Sequence, residues 1–254
     1  YNPRLRHAFV KYDNFLAGQT WSTFQDVAAL AENLDFVGPA EGTTFIRQTQ
    51  FRYTSGGFQI SVENPETTVT PYGGGGRIVT DDGALPDFVV RYNKSDTWGH
   101  VGVAGILRSL KLNNGVVDDS TLGWGVSLSG KLKVGAKDDF RFMATGGKGL
   151  GRYLGLNTAN GAVINAAGEL EAIGSYAGFI SYRHFWNDEF RSNLTLSAFK
   201  ADNDVALTGT SVTKDVYSVH ANLLYSPIPK ITFGGEYMYA KRTIESGLNG
   251  DMHR

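Results

Sequence analysis

The chain has 254 residues, of which 24 are Lys or Arg and 25 are Asp or Glu, so its formal net charge is −1. It contains no Cys, which excludes disulfides and thiolate metal sites, and no apolar run reaches the roughly 18 residues that a transmembrane helix needs. Gly is frequent (32 residues) and aromatic residues make up 12% of the chain. Two classes fit: a soluble extracellular β protein, or a β-barrel whose lipid-facing side chains occupy only alternate strand positions.

Alternation of apolar and polar residues with a period of two recurs along the whole chain and predicts twelve strands. In chain order these are 3–12, 14–21, 43–54, 57–64, 86–94, 98–112, 119–134, 138–146, 170–186, 189–202, 213–226 and 230–245. The fold class that we expect is all-β, an antiparallel transmembrane β-barrel.

The connections between the predicted strands alternate in length. The first is the short turn Tyr12-Asp13-Asn14, and every second connection after it is also short. The five longer connections are about 21–43, 64–86, 112–119, 147–170 and 202–213. Barrels of bacterial outer membranes have short periplasmic turns and long external loops, whereas a soluble sandwich has no reason to keep this parity.

The two faces of the predicted strands also differ. In the last strand one side is apolar, with Ile231, Phe233, Gly235, Tyr237 and Tyr239. The opposite side is too polar for a packed core. Aromatic residues gather near the short turns, where an interfacial girdle would lie: Tyr92, Trp98, Tyr182, Trp186, Phe190 and Tyr225. A soluble half-buried sheet with aromatic pairs is the alternative.

The parity of the turns places both predicted ends of the sheet on the external side, whereas a single-chain barrel normally has both termini in the periplasm. We therefore expect residues 1–254 to be one β-barrel domain that is incomplete at both ends. Residues 251–254 are predicted to be a polar loop. A complete barrel would have about sixteen strands, with about fourteen as the alternative.

With the apolar face turned outward, arginines collect on the inward face. The predicted pore-lining residues are Arg4, Arg6, Arg52, Arg91, Arg108, Arg141, Arg183 and Arg191, and Arg242 shares their face. Arginine rings favour anions in a pore, and the guanidinium fork suits carboxylates. The alternative is that these arginines only neutralise acidic groups of a loop and give no net selectivity.

The connection 21–43 is the candidate constriction loop. Phe24, Val27, Leu30 and Leu34 recur in it at near-helical spacing, which predicts a short amphipathic helix folded into the lumen. Its acidic residues would then face the wall arginines; they are Asp26, Glu32 and Asp35. The alternative is a loop packed at the rim or against a neighbouring subunit.

Other motifs point to no catalytic chemistry. The glycine-rich stretch 146–151 lacks the spacing of a phosphate-binding loop, and the five His residues show no metal-ligand spacing. Ser218 and His220 share a face, but a nucleophile needs a third partner. We expect no enzyme activity, no cofactor, no metal and no nucleic-acid partner. Lys111, Lys200 and Lys241 lie at external strand ends, where they would meet either lipid phosphates or solvent.

Several segments of the first 65 residues are similar to a known family. Arg4-Leu5-Arg6-His7-Ala8-Phe9-Val10, Gly18-Gln19-Thr20-Trp21-Ser22, Asp35-Phe36-Val37-Gly38-Pro39 and Arg47-Gln48-Thr49-Gln50-Phe51-Arg52-Tyr53 resemble the DcaP-like outer-membrane porins. The later strands agree with the family mainly in layout.

The resemblance implies a homotrimeric porin of the Gram-negative outer membrane that prefers small anions, notably dicarboxylates. Its other partners would be outer-membrane lipid and lipopolysaccharide. Arg6, Arg52 and Arg91 match pore-lining positions of the family, whereas Arg47 falls on the lipid-side parity of its strand. The alternatives are a structural or adhesive outer-membrane barrel with a plugged lumen, and a barrel enzyme.

Overall fold

The computed structural model describes residues 5–83 and 85–254, and strands dominate them. The strands are β1 (Ala8–Tyr12), β2 (Phe15–Trp21), β3 (Arg47–Ser55), β4 (Phe58–Glu63), β5 (Thr67–Thr70), β6 (Ile78–Thr80), β7 (Asp87–Asp96), β8 (Gly99–Asn113), β9 (Asp118–Val134), β10 (Asp138–Lys148), β11 (Ala162–Ile164), β12 (Leu170–Ala172), β13 (Gly174–Phe185), β14 (Phe190–Asp202), β15 (Thr213–Ile228), β16 (Ile231–Ile244) and β17 (Asn249–His253). In the described ranges, helical residues are limited to α1 (Val205–Thr208) and the 3₁₀ turns Val27–Ala29, Ala40–Gly42 and Gly151–Tyr153. No helix in these ranges is long and apolar enough to cross a membrane.

Thirteen strands form one antiparallel sheet, in the order β1-β2-β3-β4-β7-β8-β9-β10-β13-β14-β15-β16-β17. Each of these wall strands pairs with the next wall strand along the chain, as in the wall of an up-and-down β-barrel. The twelve predicted strands are confirmed, with shifts of a few residues at their ends.

The predicted polar loop 251–254 is wrong for most of its length, because residues 249–253 form β17. Register pairs such as Ala240↔Met252 and Arg242↔Gly250 join β17 to β16. β17 has no β-branched residue and one large apolar one, so its side chains give no strand signal. Backbone pairing with β16 decides its conformation.

The connections keep the predicted alternation. Only Asp13 and Asn14 separate β1 from β2, and Asp13 takes a φ of +50° in this tight turn. Residues 22–46 then separate β2 from β3. The turns that the sequence predicts to be short lie at one end of the sheet, the turn end. The other end, the loop end, carries the long connections together with two connections of four residues, 114–117 and 245–248.

Burial alternates along the wall strands in the sense that the sequence predicts. In β14 Leu194 and Leu196 are 53% and 44% exposed, while Thr195 between them is fully buried. In a soluble protein the apolar face of a sheet is covered and the polar face is exposed. Here the apolar face is bare and the polar face is covered, as expected for a wall in contact with lipid. Aromatic residues lie on the bare face near the turn end, where Phe190 stacks on Tyr225 at 4.5 Å.

A second, four-stranded sheet lies inside the loop end, in the order β12-β11-β5-β6. It is built from the connections 64–86 and 149–173, and its Val69, Ala162 and Ile164 pack against Leu110 and Leu112 of the inner wall. The single predicted strand 170–186 is therefore wrong at its start. Its first residues form β12, and Ile173 breaks the run because its N–H donates to Gly161 of the neighbouring loop.

Replacing Leu196 with Arg tests the lipid-facing side of the wall. Leu196 lies at the middle of β14 on the bare face, so we expect L196R to lower the free energy of unfolding in lipid vesicles by about 2–4 kcal/mol. The matched control is K200R on the same face of the same strand. It keeps the charge at the loop end, where an arginine costs about 0–1 kcal/mol. Equal stabilities for the two variants would contradict the assignment of the faces.

Candidate functional site

Residues 22–46, called loop 22–46 below, enter the inner space of the sheet instead of covering its rim. The loop begins against β4, where Ser22 Oγ and the Thr23 N–H donate to the Glu63 carboxylate at 2.7 and 2.8 Å. Phe24 is fully buried and meets the Tyr153 ring edge-on at 6.0 Å. The loop thus lies in the interior from its first residues onward.

Asp26 is the first charged anchor of loop 22–46 on the wall. Its carboxylate lies 2.7 Å from the Arg91 guanidinium of β7 and 3.0 Å from Nε2 of His100 on β8. Ser129 of β9 donates to the same oxygen at 2.7 Å. One loop carboxylate therefore joins three neighbouring strands.

Glu32 is the second charged anchor. Arg183 of β13 and Arg191 of β14 donate to its carboxylate at 2.8 and 2.7 Å. Burial alone would raise the pKa of Glu32, but the hydrogen bonds from Arg191 and Arg183 outweigh it and hold the pKa at about 2. The carboxylate is therefore charged at neutral pH.

A cluster of cationic side chains surrounds this second anchor on the inner wall. Arg141 and Lys131 contact the Asp139 carboxylate at 2.7 and 3.7 Å, and Arg183 contacts it as well. Together with Arg191, four cations therefore share two carboxylates, those of Asp139 and Glu32. We call Lys131, Arg141, Arg183 and Arg191 the wall cation cluster. Asp139 is nearly buried (3% exposed), whereas the cluster side chains are 11–35% exposed.

The tip of the loop reaches β16. The Leu34 N–H and the Asn33 amide both donate to the Glu236 carboxylate at 3.0 Å. Asp35 lies 3.1 Å from Arg254. The loop then returns, and its Thr44 hydroxyl lies 3.2 Å from that of Thr145 on β10. Both arms of the loop are thus fixed to the wall.

The predicted helix in this loop is wrong. Beyond the two 3₁₀ turns, Leu30 is extended (φ −59°, ψ 137°), and its carbonyl accepts a hydrogen bond from Arg141 instead of from a helical N–H. Val27 and Leu34 are 44% and 51% exposed, so the near-helical spacing does not form one apolar face. Contacts with wall side chains satisfy the backbone groups that a helix would have satisfied internally.

A buried network, called the loop clamp, joins three loops to the wall. Arg108 of β8 contacts the Asp87 carboxylate at 3.0 Å and donates to the carbonyls of Gly149 and Glu66 at 2.7 and 2.6 Å. The Tyr153 hydroxyl lies 2.9 Å from Asp87 and 3.2 Å from Glu63. The carbonyls belong to the connections 149–173 and 64–86, and Glu63 holds the start of loop 22–46.

The other predicted pore-lining arginines lie elsewhere. Arg52 of β3 faces inward beside the buried Gln50, and in the part of the chain that the structure describes no carboxylate lies within 4.0 Å of it.

Arg6 precedes β1, so strand alternation does not fix its face, and its guanidinium lies 5.3 Å from the Phe36 ring of loop 22–46. Arg4 lies outside the described residues. Arg47, on the lipid-side parity, lies 3.8 Å from the Trp21 ring.

Ser218 and His220 do have an acidic neighbour, since His220 Nδ1 lies 3.6 Å from Glu236 and Nε2 lies 3.0 Å from the Ser218 hydroxyl. The Ser218 hydroxyl, however, donates to Glu41 of loop 22–46. Its proton is therefore not directed at His220, and both residues are buried (2% and 1% exposed). This geometry fits a polar network that holds the loop, and it does not prepare a nucleophile.

The sequence pattern did not predict two parts of this interior, the Asp139 and Lys131 pair and Tyr153. Asp139 lies two residues before Arg141 on β10 and therefore shares its inward face, and this spacing could have predicted its place in the interior. Tyr153 gave no signal, because a single Tyr in a long loop carries no period. Its role depends on the fold of the connection 149–173.

Comparisons with known proteins agree with this fold. The model of the family described as DcaP outer membrane protein matches residues 2–254. The crystal structure of the outer membrane channel DcaP of Acinetobacter baumannii superposes with a TM-score of 0.84 at 23% identity, covering 98% of this chain and 72% of that chain. Outer-membrane expressed OmpT of Vibrio cholerae gives a TM-score of 0.54 at 13% identity, covering 94% and 73% of the two chains. No curated protein sequence matches.

Removing Arg108 tests the loop clamp. R108M leaves the buried Asp87 carboxylate without its cation, so we expect a loss of about 3–5 kcal/mol in the free energy of unfolding. Urea unfolding in lipid vesicles, followed by tryptophan fluorescence, measures it. The double variant R108M/D87N removes both charges and should recover much of the loss. A single variant as stable as the wild type would show that the clamp does not hold the loops.

A disulfide between loop and wall tests whether loop 22–46 is fixed. The Thr44 and Thr145 hydroxyl oxygens are 3.2 Å apart, so cysteines at these positions should bond in T44C/T145C, and the chain has no other Cys to interfere. We expect oxidised and reduced channels to conduct equally in a planar bilayer, since the loop is already anchored. A conductance that changes on reduction would mean that the loop moves during conduction.

Proposed function

Because this chain belongs to the DcaP outer membrane protein family, and is therefore a porin of the bacterial outer membrane, we propose that it is a passive channel preferring small anions, dicarboxylates among them. Solutes diffuse down their gradient, and the channel itself performs no chemistry. Loop 22–46 crosses the inner space and sets the size limit for the solute.

The wall cation cluster is the observation that carries this proposal. Lys131, Arg141, Arg183 and Arg191 share only two carboxylates, so the cluster has an excess of positive charge. Asp139 is 3% exposed and the cations are 11–35% exposed, so the cations are the more accessible groups. Fixed positive charge in a low-dielectric channel raises the local concentration of anions. Guanidinium forks recognise carboxylates better than compact anions, because two parallel hydrogen bonds can form.

The alternative is that acidic groups of the loop cancel the charge of all the inward arginines. It applies to the arginines that are paired one to one with a carboxylate. Arg91 and Arg108 each face a carboxylate, and their charge is balanced locally. Positive charge without a one-to-one acidic partner remains in the wall cation cluster and at Arg52 on β3. These are the groups that we propose contact the passing solute.

The assembly is also part of the proposal. The resemblance of residues 1–65 to DcaP-like porins supports a homotrimer. Lys111, Lys200 and Lys241 lie on the outward parity at the loop end of their strands. That position supports contact with phosphates of outer-leaflet lipid and lipopolysaccharide.

Neutralising two arginines tests the anion preference. R183Q/R191Q removes two positive charges beside Glu32 and leaves that carboxylate without its partners. We expect the reversal potential in a planar bilayer under a salt gradient to shift from anion-selective toward cation-selective. The control K200Q/K241Q loses the same net charge on the outer face and should keep the selectivity of the wild type.

Two outcomes of this experiment would contradict the proposal. A reversal potential that is the same in R183Q/R191Q and the wild type would show that the wall cation cluster does not select the solute. A wild-type protein that folds but conducts no ions would favour the structural or adhesive barrel with a plugged lumen.

A further inference from the structure

We propose that the loop end of this channel holds a second carboxylate-binding site, the mouth site, formed by Arg77 and Arg242, which captures a solute before it reaches the wall cation cluster. The inference rests on the proposed anion preference, and adds to it a place of entry and two residues. Arg77 and Arg242 line one cavity, neutral groups hold them, and they lie where a solute enters from the loop end.

A polar cavity of about 220 Å³ lies between the loops at the loop end. Separate segments of the chain contribute to its lining: the connections 64–86, 149–173 and 203–212, and the ends of β15 and β16. The residues with polar side chains that the argument uses are Thr70, Arg77, Asn160, Asn203, Thr213 and Arg242. A volume of this size accommodates a carboxylic acid of several carbon atoms together with some water.

Neutral groups, and no carboxylates, hold the two arginines in place. Arg77 Nε donates to the Asn160 side-chain oxygen at 2.6 Å, and Nη2 donates to the Asn157 carbonyl at 2.5 Å. Arg242 Nε donates to the Thr213 hydroxyl at 2.9 Å. Among the described residues no carboxylate lies within 4.0 Å of either guanidinium, whereas Arg91, Arg108, Arg141, Arg183 and Arg191 each have at least one. The two forks are therefore positioned while their charge is not cancelled.

The free N–H groups of these forks define the ligand. Nη1 of Arg77 and both terminal nitrogens of Arg242 have no hydrogen-bond partner among the described residues. Such groups bind planar oxyanions, and carboxylates best satisfy a pair of parallel N–H donors. The carboxylate of Glu245 accepts a hydrogen bond from the Asn203 amide at 2.9 Å, beside the cavity. Two forks in one cavity suit a small dicarboxylate, with one carboxylate on each arginine.

The position of the mouth site gives it a role in association. Arg242 lies on the inward parity at the loop end of β16, and Arg77 precedes β6 inside the loops. A solute entering from the external side meets these arginines before it reaches loop 22–46. Electrostatic capture at an entrance raises the association rate more than it raises the final affinity. The mouth site should therefore affect binding from the external side most strongly.

Succinate binding to single channels tests the mouth site. R77Q/R242Q removes both charges, and K200Q/K241Q removes two from the outer face at the same end of the barrel. Current fluctuations with succinate added to one side at a time give the association and dissociation rates. We expect R77Q/R242Q to lower the association rate from the loop-end side by about tenfold, with a smaller change from the turn-end side. The control should match the wild type.

Two further variants make the result specific. R242Q alone breaks a single hydrogen bond to Thr213, so it keeps the fold and should show part of the loss. R77K/R242K keeps both charges without the planar forks, and should restore the association rate only partly. A far-ultraviolet circular dichroism spectrum and a urea unfolding midpoint equal to those of the wild type check that each variant folds into an intact barrel.

The outcomes separate the mouth site from the proposed function. Association rates for R77Q/R242Q equal to those of the wild type from both sides would overturn the mouth site, whatever the ion selectivity. A wild-type reversal potential without anion preference would overturn the proposed function. Even in a channel without anion preference, a loss of succinate association in R77Q/R242Q from the loop-end side alone would support capture at the mouth site.

Discussion

Arg108 is buried between the wall and the connections 64–86 and 149–173, and the arrangement of the interior depends on its contacts. Its charge is balanced by Asp87, and its other donors are taken up by loop carbonyls. Tyr153 extends this network to Glu63, which in turn holds the start of loop 22–46. Buried charges are tolerated only when they are paired and hydrogen-bonded, so the loops and the wall must be placed together.

The same requirement explains why the interior keeps positive charge only in some places. Where a loop or wall acid meets an arginine one to one, as at Asp26 and Arg91, the pair fixes the loop and cancels the charge. The wall cation cluster has more cations than acids, and the mouth site has forks held by amide, carbonyl and hydroxyl oxygens. Both kinds of arginine face the same space. An arginine that anchors a loop and an arginine that we propose attracts a solute thus differ in their partners.

Much of the fold was predictable from local pattern. Strand alternation and turn parity predicted twelve of the wall strands and the direction of their faces, because a strand between lipid and a polar interior must alternate at every residue. β17 escaped prediction, since backbone pairing with β16 forms it and its side chains carry no signal. The helix expected in loop 22–46 was wrong for a related reason. Wall side chains, Arg141 among them, took the backbone bonds that a helix would have used.

The sequence alone therefore determined which arginines lie on the inward parity of their strands, Arg91 and Arg183 among them, and which family the chain resembles. Only the tertiary structure decided which inward arginines are neutralised, because that depends on where Asp26 and Glu32 come to lie after the loop crosses the interior. It also brought Arg77 and Arg242 into one cavity from positions far apart in the chain. Strand parity is a property of neighbouring residues, whereas charge pairing is a property of distances that only the folded loops set.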